Sequence, residues 1–315
     1  MTNEKIIEQN KQSKFNHMKT KNLFVVGLLL GSAFMAQRAS AQFVLMDNLT
    51  AQPTGNLDGL TAADGGTWTS VGVPDSITIG PSATTGNAAL AGGTDGADYL
   101  ALPATIGGGS TAATVFFQFD MGSSQTANNV NWSLENPGTA TDSAGNSGSA
   151  AAAVEVNANA PGRAGLTVRN GGAFDEMSAN GSTTFTPANS TKYDMWMVLD
   201  QSAKTYQIYM SGGALGSTPT LMSIGTGTYN ANPTAWTTTG AYRSGSATPS
   251  DFIFGPGGTP NSGNSQGLYD VYEDPGSADL LDPTAVSVVP EPGTLALLGF
   301  GGSALLLQLR RHRKS

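Results

Sequence analysis

Between Lys192 and Gly213 the chain reads KYDMWMVLDQSAKTYQIYMSGG. Tyr193, Met195, Met197 and Leu199 alternate with Asp194, Trp196 and Val198. Successive strand side chains point to opposite faces, so this segment is predicted to be extended. Asp200 to Lys204 interrupts it with polar residues, Thr205 to Met210 resumes a β-rich run, and Gly212-Gly213 ends it. Two such runs around a short polar loop predict a hairpin. Both faces carry apolar groups, which places the hairpin inside a sandwich rather than at a wet surface.

The same period recurs in AATVFFQFDM, which ends at Met121. There Val115, Phe117 and Phe119 share one face, and Phe116, Gln118 and Asp120 share the other. Weaker strands are expected at 129–134 and 151–156, on either side of a Gly/Ser/Asn stretch, and shorter ones at 165–169 and 183–185. Asp251 to Phe254 and Gly267 to Tyr272 complete the set. From 42 to 288 no helical period is sustained, and Gly or Pro punctuates the chain throughout. Many short strands with regular turns predict an all-β sandwich or barrel. A body of roughly 250 residues fits one such domain.

Both ends break this pattern. Lys19 and Lys21 precede an apolar run from Leu23 to Leu30 that continues through Ala33, Phe34 and Met35, followed by Ala39-Ser40-Ala41. A basic start, a short apolar core and a small-x-small site read as a secretory signal peptide over 1–41. Its partners are the Sec translocon and signal peptidase. Ala39 and Ala41 set the cleavage site, and Gln42 becomes the first residue. Met18 is an alternative start, opening MKTKNLFVVGLL.

At the other end Pro290 and Pro292 fix φ and lack an N–H, and they push Val289 and Glu291 toward extended backbone. No charged residue occurs from Thr294 to Leu309, a span of about 24 Å as a helix. Arg310, Arg311, Arg313 and Lys314 follow at once, the positive-inside pattern of a single transmembrane helix with a cytoplasmic end. Gly299, Gly301 and Ala304 match G-x-G-x-x-A, but no βαβ unit can follow so close to the terminus, so the match is chance.

The order Pro-Glu-Pro, apolar run, basic end resembles the PEP-CTERM sorting signal of Gram-negative bacteria, over 289–315. The resemblance implies that Pro290, Glu291 and Pro292 are read by exosortase, a membrane cysteine peptidase. The helix at 294–309 would then anchor the chain transiently in the inner membrane before release or attachment at the cell surface, often among exopolysaccharide.

Composition narrows what the body can do. It has no cysteine and no histidine, since His17 and His312 lie in the two ends. Disulfides, Ser-His-Asp or Cys-His catalysis and ordinary zinc sites are thereby excluded. Its five basic residues, Arg163, Arg169, Lys192, Lys204 and Arg243, face twenty acidic ones. Such a surface repels nucleic acid.

The hairpin at Tyr193–Met210 and the strand through Val115–Phe119 resemble a concanavalin A-like or laminin-G-like jelly roll. GLYDVYEDPGSADLLDP resembles the late strand and tail of many surface proteins with this sorting signal. Glycosidases of that fold carry paired carboxylates on one strand, because alternation puts them on one face. No such run is present; Glu273 and Asp274 are adjacent and face opposite ways, as do Asp175 and Glu176. The chain is therefore expected not to be an enzyme.

Asp270, Glu273, Asp274, Asp279 and Asp282 form an acidic cluster that could hold Ca²⁺, though it lacks an EF-hand loop, and a solvated acidic loop is the plainer reading. No other cofactor is expected. Trp68 and Trp236 lie in Gly/Thr-rich stretches and are the aromatic candidates for stacking on a sugar, whereas Trp196 reads as core. The expectation is a non-enzymatic exported surface or matrix protein. A lectin-like module is the alternative and a polysaccharide hydrolase the third choice.

Overall fold

A computed structural model describes residues 43–72, 77–91, 96–102, 112–123, 130–136, 152–158, 165–226, 233, 235–256 and 266–285. The chain divides into Met1–Gln42 and Phe43–Ser315, and every described residue lies in the second unit. The signal peptide, the Pro-Glu-Pro motif, the apolar run and the basic end lie outside the described residues.

The strands are β1 (Val44–Asn48), β2 (Gly55–Asn56), β3 (Thr69–Gly72), β4 (Ile77–Pro81), β5 (Asn87–Ala91), β6 (Gly96–Ala101), β7 (Ala112–Asp120), β8 (Val130–Glu135), β9 (Ala152–Ala158) and β10 (Leu166–Asn170). They continue as β11 (Ala173–Ser178), β12 (Lys192–Asp200), β13 (Thr205–Ser211), β14 (Thr220–Leu221), β15 (Ser223–Thr226), β16 (Ala235–Thr237), β17 (Gly240–Ala241), β18 (Asp251–Pro256) and β19 (Gln266–Pro275). One sheet runs β14-β13-β12-β7-β19-β5-β4-β2, with β1 on β19 and β17 on β13. The other runs β16-β15-β11-β10-β9-β8-β18-β6-β3. The strand pairs are antiparallel, so the body is the all-β sandwich that the alternation implies.

The hairpin forms as expected, with Met195 opposite Met210 and Leu199 opposite Tyr206. Its turn is held by Asp200, whose Oδ1 accepts bonds from the amides of Ser202 at 3.0 Å and Ala203 at 2.9 Å. Lys204 closes it in the left-handed region at φ 56°. β7 and β12 are neighbours within their sheet, matched residue by residue from Lys192↔Asp120 to Asp200↔Ala112. Thr183–Phe185 is not a strand: Phe185 joins β10 and β11 only through bonds to Leu166 and Met177.

The inward faces of the two sheets meet. Phe117 and Phe119 of β7 pack on Trp132 of β8 at centroid distances of 5.9 and 4.7 Å, and Phe117 reaches Phe252 of β18 at 5.4 Å. Aromatic pairs of this kind contribute about 0.5–1.5 kcal/mol each beyond burial. Val115, Met195, Met197, Val154, Val156 and Val168 fill the same core.

Candidate functional site

The outward face of each sheet is where polar chemistry gathers. On the nine-stranded sheet, Trp132 and Leu134 point inward, so Asn131, Ser133 and Glu135 point outward. Register then places Glu155 opposite Ser133, Asn157 opposite Asn131, and Asp251 opposite Glu135. Three carboxylates thus share one face, although no strand carries two of them. Strand pairing across β18, β8 and β9 assembles the three carboxylates instead. The alternation in VNWSLE was the available signal.

These groups are buried, and Glu155 is a knot rather than a free base. Its Oε2 lies 2.8 Å from Arg243 Nη1 and 3.3 Å from Arg169 Nε, and its Oε1 accepts from Asn157 Nδ2 at 3.1 Å. Arg169 also stacks over Phe174, 3.3 Å from the ring centroid. Glu135 Oε1 accepts from Ser133 Oγ at 3.0 Å. Bonds of this kind occupy the oxygens of a carboxylate.

The ten-stranded sheet carries a different arrangement. Beyond β19 the chain turns at Gly276, whose φ of 100° suits glycine, and crosses the outward face of β7 as a strap ending at Ala285. Alternate residues of β7 hold it in turn. Thr114 Oγ1 donates to the Ser277 carbonyl at 2.9 Å and accepts from the Asp279 amide at 3.1 Å. Phe116 packs with Trp196, Val198 and Leu280 in a cluster that Phe43, Tyr209 and Tyr272 extend. Gln118 Nε2 reaches Thr284 Oγ1 at 3.3 Å. Trp196 Nε1 donates to the Leu281 carbonyl at 3.0 Å.

Acidic groups sit beneath this strap. Burial and the nearby Asp279 push the Asp274 carboxyl up to about 6, with Ser277 opposing. Asp194 is also raised, by burial first and by Asp282, while Gln118, Ser211 and Lys192 favour its charged form. Asp270 is raised by burial, with Lys192 opposing.

The acidic cluster, weighed as a Ca²⁺ site and read more plainly as a solvated loop, is taken apart, and its Glu273 and Asp274 are buried rather than solvated. Glu273 lies opposite Val115 and faces the core between the sheets, Asp274 lies opposite Thr114 beneath the strap, and Asp270 sits beside a bulge between Leu268 and Val271. Asp279 and Asp282 belong to the strap itself. Among the described residues no group of three or more such side chains is placed to hold a metal ion.

The stacking candidates divide as well. Trp68 is 0% exposed and its Nε1 donates to Asp47 Oδ2 at 2.7 Å, so its ring is core and not a sugar platform. The Gly/Thr setting suggested a loop, but Trp68 directly precedes β3 and fills the core. Trp236 is half-buried on β16, at the edge of the nine-stranded sheet, opposite Gly225. Trp196 is buried as expected, but on the outward face under the strap rather than between the sheets.

Residues 288–314 match the family described as the PEP-CTERM protein-sorting motif. The body is similar in fold to solved lectins and a carbohydrate-associated domain. Lectin II from Ulex europaeus has 12% identity and a TM-score of 0.41, over 70% of this chain and 97% of that one. Peanut lectin with a 9mer peptide has 11% identity and a TM-score of 0.41, over 74% and 97%. Domain 4 of AbnA, a GH43 extracellular arabinanase from Geobacillus stearothermophilus, in complex with arabinotriose, has 12% identity and a TM-score of 0.39, over 77% and 96%. No curated protein matches the sequence. No helix among the described residues is long and apolar enough to cross a membrane.

Proposed function

We propose that this chain is an exported, non-enzymatic bacterial surface or matrix protein, sorted through its C-terminal tail. The sorting-motif match at 288–314 carries the reading. Signal peptidase removes 1–41 after Ala41. The apolar run at 294–309 holds the chain in the inner membrane, with Arg310, Arg311, Arg313 and Lys314 as its cytoplasmic stop. Exosortase then cleaves near Pro290, Glu291 and Pro292 and delivers the sandwich to the cell surface or the exopolysaccharide around it. The clamped state of Glu155 and the lack of histidine and cysteine in the body support a structural rather than a catalytic role.

The test is replacement of Pro290, Glu291 and Pro292 by alanine in the full chain. Membrane insertion should persist, because the apolar run is untouched, and the protein should accumulate uncut in the inner membrane. Intact mass of the wild-type surface fraction should show a chain that begins near Gln42 and ends near Pro290 to Gly293. Surface delivery of the alanine variant at the wild-type level would refute the reading. A glycan-binding role for the body would rest on Trp236, the one sugar-stacking candidate that is not fully buried; saturable binding of exopolysaccharide that Trp236→Ala abolishes would favour it.

A further inference from the structure

The strap lies immediately upstream of the sorting motif. Only four residues separate Ala285, the last residue of its terminal 3₁₀ turn, from Pro290. Fully extended, the backbone from Ala285 to Pro290 reaches about 17 Å. On the other side, Thr294 begins the apolar run two residues after Pro292. The motif is thus tethered to the membrane at one end and to the folded sheet at the other. A domain of roughly 240 residues has a radius of gyration of about 18 Å, so a bulk of that size is held within one radius of the scissile segment.

We propose that the segment from Gly276 to Ala285 is a latch that restrains exosortase by holding the sorting motif close against the folded body. The inference rests on the sorting function proposed above. Thr114, Phe116 and Gln118 of β7 and Trp196 of β12 form the seat of the latch, and Leu280 is its apolar anchor. Release of the latch lengthens the free chain before Pro290 from four residues to about fourteen and its reach to roughly 50 Å. A membrane peptidase can then take the segment at 289–292 without the sandwich in its way. The seat also binds Phe43, the second residue after the expected signal-peptidase site. Both ends of the exported body therefore leave from one patch, and that patch must face the membrane while either end is anchored.

The latch has the makings of a reversible contact. Its anchor Leu280 is only partly buried, and its neighbour Leu281 is 60% exposed. Asp279 and Asp282 bring negative charge toward Asp274 and Asp194 on the sheet, which opposes closure. The hydrogen bonds from Thr114, Gln118 and Trp196 and the packing of Leu280 favour it.

Two variants of the full chain test this in the exporting cell, followed by pulse-chase with intact-mass readout. The first inserts a ten-residue Gly-Ser segment after Ala285 and leaves every body contact in place. The second, Leu280→Asn, removes the anchor. Both should be cut several-fold faster than wild type at the same bond, in proportion to the larger population with a reachable motif. The insertion decides the matter, because it cannot unfold the body. A wild-type or slower rate for the insertion variant overturns the latch, whatever Leu280→Asn does. The alanine replacement of Pro290, Glu291 and Pro292 separates the two levels. If that variant is processed like wild type, the sorting function itself fails; if it is uncut while the insertion has no effect, only the latch fails.

Discussion

The indole Nε1 of Trp196 donates a 3.0 Å hydrogen bond to the carbonyl of Leu281, 85 residues further along the chain. The bond joins the middle of the ten-stranded sheet to the strap that leads to the sorting tail. The ring itself packs against Phe116 at a centroid distance of 5.0 Å. Trp196→Phe should keep most of that packing and lose the bond, at a cost of about 0.5–1.5 kcal/mol. Hydrogen exchange by mass spectrometry should show the loss as faster exchange confined to peptides covering 277–285. Uniformly faster exchange across β7 and β12 would mean that the indole holds the sheet and not the strap.

Trp68 makes the contrasting case. Its Nε1 meets Asp47 Oδ2, and Asp47 Oδ1 also accepts from the Asn48 amide at 2.8 Å and from Gln52 Nε2 at 2.9 Å. Asp47 is fully buried, so loss of one donor leaves part of a carboxylate poorly satisfied. Trp68→Phe should lower stability by about 1–3 kcal/mol, read from urea unfolding of the mature protein. Any binding to exopolysaccharide should be unchanged. A stable variant with weakened glycan binding would restore Trp68 as a ligand residue.

The outcome for these two tryptophans shows what the sequence could convey. Alternation at Tyr193–Leu199 and Val115–Phe119 grouped those side chains into the two sets observed, because period 2 is a local property, but it did not show that Trp196 and Phe116 lie outward beneath a strap. β1 to β6, β11 and β14 to β17 went unread; in β5 (NAALA) and β6 (GADYLA) Ala and Gly blur the contrast between faces, and β2, β14 and β17 are only two residues long. Which strands become neighbours is not local at all. Asp251, Glu135 and Glu155 are far apart in sequence and meet through the register of β18, β8 and β9. The acidic run after Tyr269 looked like one site because its residues are close in sequence. A strand turns Glu273 and Asp274 to opposite faces, and the strap then returns Asp279 to Asp274 alone.

Acidity should tighten the strap. Asp274 titrates near 6 in the folded chain, above the ordinary carboxylate value of 3.8. A raised folded value means that the folded state binds the proton more tightly than the unfolded state. The burden of a buried charge beside Asp279 is therefore fully present above about pH 6 and disappears as pH falls toward 4. Asp194, raised by burial and by Asp282, acts in the same sense, and Lys192 partly offsets it. Hydrogen exchange over 277–285, corrected for the intrinsic effect of pH, should slow between pH 7 and pH 5. Asp274→Asn should flatten most of that change. Exchange that quickens on acidification in the wild-type protein would contradict the assignment.

Glu155 supplies the sharpest test of whether the polar face is structural. Its side chain is fully buried, while those of Arg169 and Arg243 are 15% and 13% exposed. Glu155→Gln keeps the shape and removes the charge that two largely buried guanidiniums share. Breaking a buried pair on one side costs about 3–5 kcal/mol. The urea midpoint should fall by the corresponding amount with the slope unchanged, since the fold and its buried area are the same. Replacing Arg243 by methionine as well should recover part of the loss, because one of the two guanidiniums that bonded the Glu155 carboxylate is then gone. A catalytic carboxylate would give the opposite pattern: Glu155→Gln would leave stability near wild type or raise it, and would abolish turnover of some polysaccharide. A loss below about 1 kcal/mol, the level of a surface pair, would show that the knot does not hold the sheet together.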